Sequence, residues 1–193
     1  MLVVVGGHSR NIGKTSVACG IIRNLPEFRW TAIKITQYPG DPLYPVAPTE
    51  EYGANPTTDS GRFLAAGAER AFWLRTSTGR LSEGLPHLRR MIDEAENALV
   101  ESNSVLEFLQ PDLYLMTVNG AIADFKPTSR RFLDRAQALV VTSESRLEWE
   151  GVPPSLLETK PRYEAFAPAF ENADLIELVR LKLSGHTADR THR

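Results

Sequence analysis

Cysteine is nearly missing from this sequence: Cys19 is its single cysteine, so no disulfide can form within the chain. A chain without disulfides fits a reducing, cytoplasmic compartment. No apolar run approaches the ~20 residues of a membrane-spanning helix. The short apolar start, MLVVV, has no basic segment before it and so does not resemble a signal peptide. We therefore expect a cytoplasmic protein that has no membrane partner.

An excess of charge of one sign is also absent. The 22 Lys and Arg residues are balanced by 24 Asp and Glu residues, which gives a formal net charge of −2. A general nucleic-acid binder would need a basic surplus, so we expect no nucleic-acid partner. Hydrophobic residues make up 42% of the 193 residues, which is enough for one domain with a sizeable core.

Short apolar runs alternate along the chain with amphipathic segments, which is the pattern of an α/β protein with a mostly parallel sheet. The predicted strands cover residues 2–5, 31–35, 71–75, 98–100, 113–118 and 138–141, with a seventh at 163–166. The main predicted helices cover residues 15–25, 59–66, 85–96, 129–136 and 174–183. We predict a single domain over residues 1–183 and a polar, disordered tail over 184–193.

Right-handed crossovers would place the loops after the strands on one edge of this sheet. The segments 6–14, 34–37, 101–103 and 119–126 would then lie together. Residues 38–56 also begin at this edge, and their prolines and glycines predict an irregular loop. We expect that loop to be mobile and to order over the site when a ligand binds, with contacts from Tyr38, Tyr44 and Tyr52.

A glycine-rich segment, VVVGGHSRNIGKTSV, joins the first predicted strand to the first predicted helix. Glycines let the backbone curl so that successive N–H groups face an anion, and the positive end of the helix dipole adds to the attraction. Lys14 is placed to reach the β- and γ-phosphates of a nucleotide, Thr15 to ligate magnesium and Ser16 to touch the α-phosphate. The segment therefore predicts a phosphate loop.

The predicted site binds a nucleoside triphosphate, either ATP or GTP, with Mg²⁺. Lys14, Arg10 and Glu101 are its predicted catalytic residues. Its predicted metal ligands are Thr15, Glu101 and Asp59, because hydroxyl and carboxylate oxygens suit Mg²⁺. The predicted nucleotide contacts are Gly7, Ser9, Arg10, Asn11, Ile12, Gly13, Lys14, Thr15, Ser16, Lys34 and Asn119.

Each residue outside the loop also has an ordinary structural interpretation. Glu101 and Lys34 could be solvated residues at strand ends, and Asp59 could be the cap of a short helix. Arg62, one turn after Asp59, could pair with that carboxylate or with a phosphate. Asn119 suits the edge of a purine base, but it also suits a turn.

The spacing of the loop carries a resemblance to known proteins. Gly7 stands six residues before Gly13, one more than in the strict G-x-x-x-x-G-K-[ST] pattern, and this longer loop resembles that of dethiobiotin synthetase. Dethiobiotin synthetase belongs to the SIMIBI class of P-loop proteins. So does the molybdopterin-guanine dinucleotide biosynthesis protein B family, which the chain resembles over roughly residues 2–118. The matching segments are Ile33-Lys34, Asp59-Ser60-Gly61-Arg62, Ala66-Gly67-Ala68 and Val100-Glu101.

The resemblance implies a three-layer P-loop NTPase fold with six or seven strands, and a homodimer around the nucleotide. Four positions depart from the related patterns. Thr36 replaces a histidine and Ser102 a glycine of the protein B family, while Ser9 replaces an aspartate and Ile35 a proline of dethiobiotin synthetase. These departures suggest a different substrate or weak hydrolysis.

Three functions follow from these observations. The first is an NTPase of cofactor metabolism, of the molybdopterin type, that acts on a small-molecule cofactor or metabolite. The second is a ligase like dethiobiotin synthetase, in which Lys34 and the 38–56 loop hold a carboxylate-bearing substrate for phosphorylation. The third is a non-catalytic, nucleotide-dependent switch or adaptor.

Overall fold

Eight strands form one sheet in the computed structural model, which describes residues 1–40 and 46–191, without the side chains of residues 186–191. The strands are β1 Leu2–Gly7, β2 Trp30–Tyr38, β3 Pro48–Glu51, β4 Arg70–Ser77, β5 Asn97–Glu101, β6 Leu113–Val118, β7 Ala138–Val141 and β8 Arg162–Glu164. Their order across the sheet is β3-β4-β2-β5-β1-β6-β7-β8. All neighbours are parallel except β3, which runs antiparallel to β4.

Helices cover both faces of the sheet and form the outer two of three layers. They are α1 Lys14–Asn24, α2 Asp59–Ala65, α3 Leu81–Glu94, α4 Pro127–Phe132, α5 Pro154–Glu158 and α6 Ala173–Thr191, with a 3-10 helix at Ser104–Glu107. One apolar core lies between the sheet and α3, α4 and α5, and the other between the sheet and α1, α2 and α6. The predicted three-layer α/β fold with a mostly parallel sheet is therefore confirmed.

Strand β1 shows why the centre of the sheet is buried on both faces. Leu2 and Val4 belong to one core, whereas Val3 and Val5 belong to the other, because successive side chains of a strand point to opposite faces. Apolar residues at every position of a strand are typical of parallel sheets covered by helices on both sides. Because β1 lies between β5 and β6, the loops after all three strands meet at one edge.

Strand β3, which was not among the predicted strands, lies inside the segment that the sequence predicted as an irregular loop. It pairs with β4 in the register Pro48↔Leu74 to Glu51↔Ala71. A proline is tolerated as the first residue of an edge strand, because its missing N–H can face away from the partner strand. The prediction of an irregular loop over 38–56 was therefore wrong for this part. Residues 41–45, which include Tyr44, lie outside the described residues.

The last helix also differs from its prediction. α6 continues past Leu183, where the sequence predicted its end, to Thr191. Residues 192–193 of the predicted tail lie outside the described residues. Among the described helices, none combines the length and the apolar character needed to cross a membrane.

Candidate nucleotide-binding site

The phosphate loop joins β1 to α1 through two residues with positive φ. Asn11 has a φ of 55° and Gly13 a φ of 92°, and Gly13 is the N-cap of α1. A left-handed turn at Gly13 is easily adopted by glycine and lets the chain enter the helix directly at Lys14. A Cβ at Gly7 would lie 2.7 Å from Lys14 Cδ and 2.8 Å from Ile12 Cδ1. The loop therefore closes tightly over its first glycine.

Asn103, which follows β5, holds the start of the loop. Its Oδ1 accepts a 2.8 Å hydrogen bond from Gly7 N–H, and its Nδ2 donates a 2.6 Å hydrogen bond to Gly7 O. Ser129 adds a second hydrogen bond to Gly7 O, at 2.8 Å. Asn103 was not predicted as a site residue. The double glycine at positions 6 and 7 was the available signal in the sequence, since glycine often marks a place where another residue approaches the backbone closely.

Lys14 folds back over the loop, where its Nζ donates a 2.6 Å hydrogen bond to Ser9 O. Its side chain is half-buried. Burial lowers the pKa of Lys14 to about 8, the charges of Lys34 and Lys126 act in the same direction, and Glu101 opposes them. A lysine whose charge is poorly solvated gains by binding an anion.

The Thr15 hydroxyl donates a 2.7 Å hydrogen bond to Glu101 Oε2 in the buried interior of the site. Glu101 is the last residue of β5, which pairs with β1 in the sheet, and the parallel register brings its carboxylate to the start of α1. Glu101 therefore faces the phosphate loop and is not a solvated strand end. A hydroxyl beside a buried carboxylate is an oxygen donor set that suits Mg²⁺.

Lys34 lies between two carboxylates. Its Nζ is 2.5 Å from Glu101 Oε1 and 2.9 Å from Asp59 Oδ2. Burial alone would lower the pKa of Lys34, but the two carboxylates raise it above its usual value. Burial alone would raise the pKa of Asp59, but the hydrogen bond and the charge of Lys34 lower it. The three side chains and Thr15 therefore form one connected group.

Asp59 does not cap α2. The N-cap is Thr58, whose side chain accepts a 3.1 Å hydrogen bond from Gly61 N–H. Asp59 is free to turn toward Lys34 and toward Arg62, whose guanidinium lies 3.6 Å away. Arg62 also donates a 2.9 Å hydrogen bond to Ser16 Oγ, which links α2 to the first turn of α1.

The other side of the loop is fixed by the segment after β6. Ser9 Oγ donates a 2.7 Å hydrogen bond to Asp124 Oδ2, and Lys126 N–H donates a 2.9 Å hydrogen bond to His8 O. His8 is fully buried and its ring lies 4.7 Å from that of Trp149, so it packs behind the loop. Burial, followed by the charge of Arg10, lowers the pKa of Lys126. Lys126 therefore adds a cation beside Arg10.

The loop and the charged side chains of Lys14, Lys34, Asp59, Glu101 and Lys126 line a cleft of about 890 Å³. Its walls include the predicted residues Gly7, Ser9, Arg10, Asn11, Ile12, Gly13, Lys14, Thr15, Ser16, Lys34, Asp59 and Glu101. Asn119 is not among the described residues that line it. Its side-chain Oδ1 accepts a hydrogen bond from Ala121 N–H within a turn. Within the described residues, no group of three His, Cys, Asp or Glu side chains could hold a metal by itself.

Sequence reasoning also missed two residues at the far end of the loop. Thr142, after β7, donates a 2.8 Å hydrogen bond to Ile12 O. Phe170, after β8, lines the cleft, and its ring carbon Cε1 would lie 2.6 Å from a Cβ at Gly13. Neither position lies in a recognisable motif, and both reach the loop only because the sheet places β7 and β8 beyond β6.

Comparison with known proteins identifies the fold. The chain superposes on HypB from Helicobacter pylori, solved in complex with nickel, with a TM-score of 0.57 and 12% identity, over 95% of this chain and 87% of that one. It is also similar to LpxK from Aquifex aeolicus, solved in complex with ATP, with a TM-score of 0.49 and 19% identity, over 84% of this chain and 53% of that one. No family model and no curated protein sequence matches the chain.

The likeness to HypB shows that the chain has the fold of that protein, in agreement with the predicted P-loop fold. At 12% identity the likeness does not extend to substrate or partner. The function therefore has to be argued from the chain's own cleft.

Proposed function

We propose that this protein binds a nucleoside triphosphate with Mg²⁺ and transfers the γ-phosphoryl group to water or to a second ligand. One observation carries the proposal: the Thr15 hydroxyl of a phosphate loop is hydrogen-bonded to the buried carboxylate of Glu101, 2.7 Å away. A strand-to-helix turn without a metal-dependent function has no need of a buried carboxylate at that hydroxyl, because burying a charge is costly.

The loop supplies the binding site for the phosphates. Lys14, the backbone N–H groups of residues 9–15 and the positive end of α1 would all attract the triphosphate. Arg10 is exposed at the rim, where it can contact the terminal phosphate. Ser16, held by Arg62, stands one residue further along α1, at the position that reaches the α-phosphate.

Thr15, Glu101 and Asp59 would hold the magnesium ion. When bound, Mg²⁺ neutralises charge that develops on the phosphate oxygens. The chain's own contribution is positioning: Glu101 orients the Thr15 hydroxyl, and the loop holds the phosphates against Lys14. Catalysis in such a site comes mainly from positioning and charge stabilisation.

The cleft offers room for a second ligand beside the triphosphate. It continues past Lys34 to the ends of β2 and β4, where it is lined by Thr36, Gln37, Tyr38, Trp73 and Thr78. This extension favours phosphoryl transfer to an acceptor over a switch that binds nucleotide alone. The acceptor could be a cofactor of the molybdopterin type, or a carboxylate-bearing substrate, as in the two families that the sequence resembles.

A panel of ATP, GTP, CTP and UTP, each with and without Mg²⁺, tests the proposal by thermal shift and by phosphate release. We expect at least one of ATP and GTP to raise the melting temperature, and the shift to disappear in Lys14→Ala. Lys182→Ala, which removes an exposed lysine from α6, is the matched control. No shift with any of the four nucleotides would overturn the proposal.

Turnover separates the remaining alternatives. Phosphate release with Mg²⁺ and nucleotide alone would indicate a hydrolase. Release that requires an added acceptor would indicate a transferase or ligase. Binding without turnover, in the presence of both candidate acceptors, would indicate a switch or adaptor.

A further inference from the structure

The ammonium group of Lys34 occupies the centre of the group of residues that would hold the metal. It contacts Glu101 Oε1 at 2.5 Å and Asp59 Oδ2 at 2.9 Å, while the other oxygen of Glu101 accepts the hydrogen bond from Thr15. The Glu101 side chain is 1% exposed, and that of Lys34 is 17% exposed. Lys34 is therefore the cation that compensates a buried carboxylate in the absence of a ligand.

A divalent cation and the Lys34 ammonium would compete for the same oxygens. Two cations a few ångströms apart repel each other strongly in a partly buried site, because the surrounding protein screens their charges less than bulk water does. Lys14 adds further positive charge near Lys34, and the two positive charges repel each other. A metal ion arriving alone would bring only positive charge into a site that already holds two lysines.

When a metal ion arrives together with a triphosphate, the balance of charge in the site is different. The negatively charged phosphate oxygens can bind both the metal ion and the displaced ammonium group of Lys34. Lys34 would then lose Glu101 without becoming an uncompensated buried charge.

From this geometry we infer that Lys34 is a built-in counter-cation of the metal site. It holds Glu101 and Asp59 in place without nucleotide, keeps free divalent cations out, and leaves Glu101 when the metal enters together with the triphosphate. Metal binding would therefore depend on nucleotide binding. The inference rests on the proposed function, which it deepens by assigning an order to the binding events.

Binding of Mn²⁺ alone, followed by electron paramagnetic resonance without nucleotide, tests the inference. We expect the parent and the Lys182→Met control to bind Mn²⁺ weakly. Lys34→Met and Lys34→Gln should bind it at least about tenfold more tightly, because the competing cation is gone. The double variant Lys34→Met/Glu101→Gln should return to weak binding, because the freed carboxylate is lost.

Thermal melting covers the case in which a Lys34 variant folds poorly without metal. Removing Lys34 leaves the buried carboxylate of Glu101 without its ion-pair partner, so Mn²⁺ should raise the melting temperature of Lys34→Met and Lys34→Gln more than that of the parent. Equal Mn²⁺ affinity in the parent and both variants, or an equal melting response, would overturn the inference. So would tight Mn²⁺ binding by the parent without nucleotide.

A second arm adds ATP or GTP to the same samples, so that failure of the two proposals can be told apart. If the parent binds nucleotide with Mn²⁺ but Lys34 variants gain no affinity for the metal alone, the inference fails and the proposed function stands. If the parent binds no nucleotide, the proposed function fails whatever the Lys34 variants do.

Discussion

Thr15 Oγ1 and Glu101 Oε2 lie 2.7 Å apart, although 86 residues separate them in the chain. The parallel pairing of β1 with β5 creates this contact, because it brings the last residue of β5 to the beginning of α1. The contact links the phosphate loop to a carboxylate in a single polar group.

Lys14→Ala should weaken triphosphate binding at least about 100-fold, since charge-assisted hydrogen bonds to phosphate contribute a few kcal/mol. The variant should stay folded, because Lys14 contacts a backbone carbonyl of the loop and does not belong to either apolar core. Isothermal titration calorimetry measures the affinity, with Lys182→Ala as the control. Equal affinity in Lys14→Ala and the parent would rule out a phosphate loop.

Triphosphate affinity should fall as the pH rises above about 8. Burial lowers the pKa of Lys14 to about 8 in the free protein, so the lysine loses its proton there and must regain it to bind the phosphates. The dissociation constant should rise by up to about tenfold per pH unit between pH 8 and 9. Calorimetry at pH 7, 8 and 9 checks this. Lys14→Met should show a much flatter dependence, and an equally steep one would assign the titration to another group.

Glu101→Gln should raise the Mg²⁺ concentration needed for half-maximal turnover by about tenfold or more, because the amide lacks the charge that holds the metal. Asp59→Asn should have a smaller effect, since the Asp59 side chain is 38% exposed and that of Glu101 1%. Turnover measured against Mg²⁺ concentration compares the two. An unchanged Mg²⁺ requirement in Glu101→Gln would remove Glu101 from the metal site.

Asn103→Ala should lower the free energy of unfolding by about 1–3 kcal/mol, because it leaves both backbone groups of Gly7 without their Asn103 partners. It should also weaken nucleotide binding, since the start of the loop loses its support. Urea denaturation gives the stability and calorimetry gives the affinity. Exposed Asn55→Ala, in which the lost contacts are local to Thr57, is a control for the substitution type.

Gly6→Ala should also destabilise the protein, by about 1–3 kcal/mol. The added methyl group would overlap Asn103 Oδ1 and lie 2.9 Å from Tyr114 Oη. Gly53→Ala is the matched control, because a Cβ there meets nothing within 4 Å. The two melting temperatures can be compared directly, and equal values would mean that the loop relaxes without cost.

The fold class could be predicted from the amino-acid sequence alone, and so could the strand–loop–helix segment that carries the proposed phosphate loop. Strands β1, β6 and β7 were predicted because continuous apolar runs bounded by turn residues are a local signal. Lys14 and Thr15 were predicted for the same reason: the strand, the glycines and the amphipathic helix are contiguous in the chain. Strand β3 was missed because an edge strand of four residues acquires its conformation by pairing with β4, which no local pattern reveals.

The tertiary structure decided which distant residues meet the loop. Glu101 was predicted at this edge of the sheet and Asp59 as a metal ligand. The contact of Glu101 with Thr15 and that of Asp59 with Lys34 depend on the parallel register of β1, β2 and β5 and on the position of α2. Asn103 was not predicted, because the double glycine at positions 6 and 7 signals a close approach to the backbone without showing which residue makes it. A sequence pattern shows which charged and hydrogen-bonding groups are present along the chain. The packing of strands and helices decides which of these groups come into contact with one another.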